Sequence, residues 1–104
     1  MKAMLMAIYT PAGLKGLMLG SDRKTVVEAS LAHVGATLID VEFTRGAWDV
    51  IVTAEFPDGN SLMGAAMAFE SSGAFEKTDY LEIIDLADVV IAANKAAGSY
   101  TPAG

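Results

Sequence analysis

The 104 residues contain no cysteine, which removes disulfides, thiolate chemistry and cysteine-ligated metals together. A single histidine, His33, excludes His-rich ligand spacing and the usual zinc sites. It falls in the last turn of a predicted helix, where a cation suits the dipole and a surface position is the simplest reading. Bases are scarce, 7 against 13 acids, for a net charge of −6. A surface of that sign repels phosphate backbones and anionic lipid, so neither nucleic acid nor a membrane surface is an expected partner. No apolar run approaches the roughly 20 residues that span a bilayer. The glycines of GLKGLMLGS stand at the wrong spacing for a P-loop or a dinucleotide fingerprint, and no nucleophile–base pairing is visible. The expectation is a protein without a metal or an organic cofactor.

What is present is apolar: 53% of the residues are hydrophobic and only 19% charged. That composition excludes disorder. The length suits one domain, residues 1–104, with a single core. So large an apolar share on so small a domain predicts that some of it meets another subunit. The opening MKAMLMAIYTPAG has a faint signal-peptide look, but Pro11, Gly13, Lys15 and Gly16 interrupt it. AMLMAIY reads instead as a first strand buried on both faces. A cytoplasmic location is the default that follows.

Residues 11–20 allow a helical turn ending at Gly20. Ser21 offers an N-cap, with Asp22 in the first turn of a helix whose inner stripe is Val27, Leu31 and Val34. Gly35 is the expected stop. ATLIDVEFT alternates, with Thr37, Ile39, Val41 and Phe43 on one face and Leu38, Asp40, Glu42 and Thr44 on the other. RGA turns the chain. The next strand sets Trp48, Val50, Val52, Ala54 and Phe56 against Asp49, Ile51, Thr53 and Glu55, and the pair makes a hairpin.

Asp58 or Asn60 can cap a second helix with the stripe Leu62, Ala66 and Phe69. Gly64 inside it predicts a close helix–sheet approach. AFEKTDYLEII resumes as a strand. DLADVVIAANKAA forms a further helix capped by Asp85, with Leu86, Val90 and Ala93 turned inward. Residues 98–104 carry no regular signal. The β-α-β-β-α-β order is the ferredoxin-like split unit, an α+β fold with two helices on one face of an antiparallel sheet. The other face must be solvated or covered by a partner.

The run GATLIDVEFTRGAWDVIVTAEFPDGNSLMGAAMAFESSGAFEKTDYLEII resembles the GYD-domain family, over about residues 13–84. The family's Gly-x-aromatic-Asp pattern falls on Gly46, Ala47, Trp48 and Asp49, with tryptophan where tyrosine is usual. The helix ending in Val34-Gly35 before the second strand fits as well. The resemblance implies a dimeric α/β-barrel, in which two ferredoxin-like sheets face each other, and it implies no particular reaction.

Gly46 at a hairpin tip most simply supplies a positive φ. Trp48 is a candidate pocket wall, although an indole there also fills a core edge. Asp49 shares a predicted face with Asp40, Glu42 and Glu55. A solvated polar face is the plain reading. Under a second sheet, however, carboxylates removed from water must pair, bind a cation or take up protons. Lys77 or Arg45 can neutralise them in a purely structural pair. The six methionines fill a core or line an adaptable pocket.

Two functions follow. One is a homo-oligomeric module, a homodimer or larger, that is structural or binds a small molecule. The alternative is a small metal- and cofactor-independent enzyme, monooxygenase- or isomerase-like. There Asp49, with Asp40 or Glu55, handles the proton, and Trp48, Asp49 and Glu42 line the pocket between sheets.

Overall fold

The computed structural model describes residues 1–103. The order is β1(Lys2–Tyr9), α1(Pro11–Met18), α2(Arg23–Ala32), β2(Thr37–Phe43), β3(Val50–Glu55), α3(Gly59–Ser71), β4(Phe75–Glu82) and α4(Leu86–Ser99). The strands form one antiparallel sheet in the order β2-β3-β1-β4. This is the expected ferredoxin-like α+β arrangement. Central placement of β1 explains its continuous apolar run, because neighbours on both sides and a helix layer remove most of it from water.

Register divides the sheet into two faces. Leu5 lies between Val52 and Tyr80, and Ala7 between Val50 and Thr78. These residues point at the helices, where Ala3, Leu5, Ala7, Val50, Val52 and Ala54 join Leu31, Leu62 and Ala66 in one core. Met4 lies between Thr53 and Leu81, and Met6 between Ile51 and Asp79, on the face that no helix covers.

The ambiguous stretch after β1 is a full helix. Thr10 caps α1 by accepting the Gly13 N–H at 3.2 Å, and its hydroxyl donates to the Gly73 carbonyl at 2.7 Å. Gly20 ends it at φ 81°. Asp22, rather than Ser21, caps α2, accepting the Thr25 N–H at 3.2 Å and the Thr25 hydroxyl at 2.8 Å. A carboxylate offers two acceptors at this position where a serine hydroxyl offers one. Gly35 stops the helix as predicted, at φ 75°, with Ala36 N–H reaching back to the Leu31 carbonyl at 3.0 Å. Asp58 caps α3 through the Ser61 N–H at 2.7 Å.

Four further expectations need correction. Between Leu38 and Asp40 the β2–β3 register slips by one. Leu38 therefore turns to the core, and Ile39 is exposed. A bulge inserts an extra residue and reverses the alternation beyond it, which no periodic reading anticipates. Gly64 meets open space; the close approach is at Gly13, where an added Cβ would run into the Ala74 carbonyl and stand 2.8 Å from the Tyr9 ring. The stripe on α4 is not inward, since every residue of α4 is exposed. Finally, Gly98 and Ser99 belong to α4, whereas residues 100–103 form no helix or strand; position 104 of the predicted irregular tail lies outside the described residues.

The projecting α4 stretches the molecule to 59 × 30 × 22 Å, with a radius of gyration of 17.4 Å, against about 13 Å for a compact chain of this size. Among the described residues no helix is long and apolar enough to cross a membrane.

Candidate functional site

The hairpin that carries the Gly-x-Trp-Asp stretch turns over residues 44–49, and β3 begins only at Val50. Gly46 adopts φ 132°, a conformation that disfavours any side chain. The Thr44 N–H donates to the Asp49 carbonyl at 2.9 Å, and the Thr44 hydroxyl donates to the Trp48 carbonyl. The Asp49 N–H donates to the Ala7 carbonyl at 2.9 Å. Its carboxylate Oδ2 accepts the Tyr9 N–H at 3.0 Å. Asp49 therefore continues the β1–β3 ladder one step past the strand, with a side chain replacing a backbone acceptor.

Trp48 departs from the predicted face. It precedes β3, so strand alternation does not reach it. The Lys77 ammonium lies 5.4 Å from its ring centroid, and Lys77 pairs with Ile8 on the face away from the helices. That distance is a cation–π contact, which places the ammonium over the indole. Among the described residues, neither Lys77 nor Arg45 forms an ion pair with the hairpin carboxylates.

The carboxylates themselves are spread out. Asp49 and Glu55 bracket β3, on the order of 20 Å apart at the rise of an extended chain. Asp40 faces Thr53 and Glu42 faces Ile51 on the edge strand. All but the half-buried Asp49 are exposed. Glu55 lies 3.4 Å from the amino group of Met1. Of the candidate set, register brings Glu42 nearest to Asp49, and it does not gather Asp49, Asp40 and Glu55 at one point. Among the described residues no cluster of His, Asp and Glu suits a metal ion.

A different concavity lies on the helix side. α2 packs on β2 and α3 on β4, so the two helices leave a gap above the central strands. Val27 of α2 and Phe69 of α3 face each other across it, with Tyr9 and Phe75 between them in a cleft of about 300 Å³. The Tyr9 and Phe75 rings are 4.9 Å apart, and Phe69 meets Phe75 edge-on at 6.1 Å. Arg23 stands at the mouth, its Nε buried without a hydrogen-bond partner and its terminal nitrogen donating to the Ser21 hydroxyl. Burial pushes the Tyr9 phenol above its usual range; the Arg23 guanidinium works against that and Asp49 adds to it.

Sequence reading missed this group. Its signal was present: Arg23 is one helical turn before Val27, i and i+4, on the stripe that ends at Leu31 and Val34. Only the lateral separation of α2 from α3 makes the position a mouth rather than a solvated helix end.

The fold and the hairpin together define a ferredoxin-like α+β domain with a Gly-x-aromatic-Asp turn. The GYD domain family model matches residues 4–93, and the chain belongs to that family. No curated protein matches the sequence. Among solved structures, the crystal structure of FFRP-DM1 is similar at 15% identity and a TM-score of 0.53, over 80% of this chain and 97% of that one. At that identity the likeness concerns the fold alone.

Proposed function

We propose that this chain works as a homo-oligomeric module in which a second copy covers the helix-free face of the sheet and the apolar stripe of α4. The observation that carries this reading is surface in excess of what one domain needs. The chain exposes 6955 Å², about 1,400 Å² more than the roughly 5,500 Å² typical of a compact monomer of its mass. A standard interface removes about 800 Å² from each partner. Leu86, Val90 and Ile91 on α4, and Leu81, Ile83 and Ile84 leading into it, are all exposed. The open sheet face adds Met4, Ile8 and Ile51, each half-buried. Two apolar surfaces that do not meet within one chain can be buried together when two copies associate.

The carboxylate-based enzyme reading has less support, because Asp49 Oδ2 already serves the fold by accepting the Tyr9 amide and its proposed partners stand elsewhere along the hairpin. Sedimentation velocity at micromolar concentration tests the assembly. The native chain sediments as a dimer or larger, and a Leu86→Asp/Val90→Asp chain of unchanged circular dichroism shifts toward monomer. A native chain that stays monomeric overturns the reading.

A further inference from the structure

The cleft between α2 and α3 lies on the opposite side of the sheet from the proposed interface and is formed within one protomer. Its walls are apolar: Val27, Phe69 and Phe75 with the Tyr9 ring. A narrower slot beneath reaches Leu5, Val50 and Val52 of the core. One cation borders the cleft, the slot and a third recess beside Gly13 and Ser72, and that cation is Arg23.

One buried polar group there lacks a partner of the chain's own. The Arg23 Nε is out of water and donates to nothing. The only ion pair among the described residues joins Met1 and Glu55, so Arg23 forms none, and the neighbouring Asp22 carboxylate acts on it only through a weaker, longer-range attraction. A buried guanidinium donor without an acceptor is costly unless something external supplies one. The serine hydroxyls around the cleft are engaged, Ser30 with the Val26 carbonyl and Ser72 with the Phe69 carbonyl.

We infer that this cleft binds a small organic carboxylate with an aromatic or branched aliphatic body, the carboxylate held by Arg23 and the body packed against Val27, Phe69 and Phe75. Charge and shape decide the class. A single guanidinium fork matches a planar monoanion in bidentate fashion. A phosphate dianion would bring a second charge into an apolar cavity with nothing to balance it. The Tyr9 phenol is protonated through the neutral range, since burial raises its pKa, and can donate to the same carboxylate. A volume near 300 Å³ sits at the lower end of small-molecule pockets, which limits the body to about one ring or a short branched chain.

The test uses the full native chain and amide NMR titrations with phenylacetate, isovalerate, neutral phenylacetamide and inorganic phosphate. At least one carboxylate should give saturable shifts at Val27, Phe69 and Phe75 with Kd tighter than about 1 mM. Phenylacetamide, inorganic phosphate and the Arg23→Gln chain should each bind about 10-fold more weakly, the loss of one charge-assisted interaction. Val27→Trp, which fills the cleft without touching the charge, should abolish binding. The inference is overturned if neither carboxylate saturates, if the shifts map outside the cleft, or if amide or phosphate matches the carboxylates. The comparison among ligands is made on unaltered protein, so it stands even if a variant fails to fold. The readout is also independent of whether the protein assembles.

Discussion

The Asp49 carboxylate accepts the backbone N–H of Tyr9 across 40 positions of sequence, at 3.0 Å. This bond ties the end of β1 to the base of the hairpin. Removing it by Asp49→Ala leaves a partly buried donor without an acceptor and should destabilise the fold by about 1–3 kcal/mol. Asp49→Asn keeps a carbonyl oxygen in place and should retain most of that stability. Urea denaturation gives the two values, and hydrogen exchange at the Tyr9 amide should accelerate only in the alanine variant.

Gly13 and Gly64 are both helical glycines, and helix propensity alone predicts that alanine stabilises each. Space separates them. At Gly13 a methyl group meets the Ala74 carbonyl and the Tyr9 ring, whereas at Gly64 nothing lies within 4 Å. Gly64→Ala should gain about 0.4–1 kcal/mol, and Gly13→Ala should lose about 1–3 kcal/mol through overpacking. Thermal melts of the two variants should therefore move in opposite directions.

The helix caps contribute to the acid sensitivity of the fold. The Thr25 hydroxyl and then its N–H hold Asp22 below the ordinary carboxylate range, and the Ser61 N–H does the same for Asp58. A carboxyl whose pKa is lower folded than unfolded stabilises above its unfolded value, and that contribution vanishes as pH falls through the folded value. The urea midpoint should hold steady from about pH 7 to pH 5 and decline below about pH 4. In Asp58→Asn, which keeps a capping oxygen but cannot titrate, the decline should be shallower.

If α4 is buried against a second copy, folding is coupled to concentration. The melting temperature of the native chain should rise with protein concentration. Val90→Asp, an exposed position on α4, should lower the melting temperature and remove its concentration dependence. A concentration-independent melt in the native chain would count against the assembly.

Much of the architecture was legible along the chain. The apolar run of β1, the stripe Val27, Leu31 and Val34, the Gly35 stop and the alternation of β3 are local patterns. Each is enforced by backbone geometry acting over a few residues. They sufficed for the order of every element but α1 and for the ferredoxin-like class, while the family was legible only through the resemblance carried by the Gly-x-aromatic-Asp pattern. The hairpin motif was equally visible, although Trp48 fell on the wrong face because it precedes the strand whose alternation would have governed it.

What the sequence by itself determined was which segments other than α1 are helix or strand, and that one sheet face would lack a helix, since both follow from periodicity and from the number of helices. The tertiary structure alone decided that a bulge at Ile39 reverses part of β2, that Asp49 binds a backbone amide, and that α4 stands clear of its own domain. It alone placed Arg23 over an apolar gap. Those outcomes depend on how elements far apart in the chain are spaced and registered, and a side chain's neighbours across that distance leave no local pattern to read.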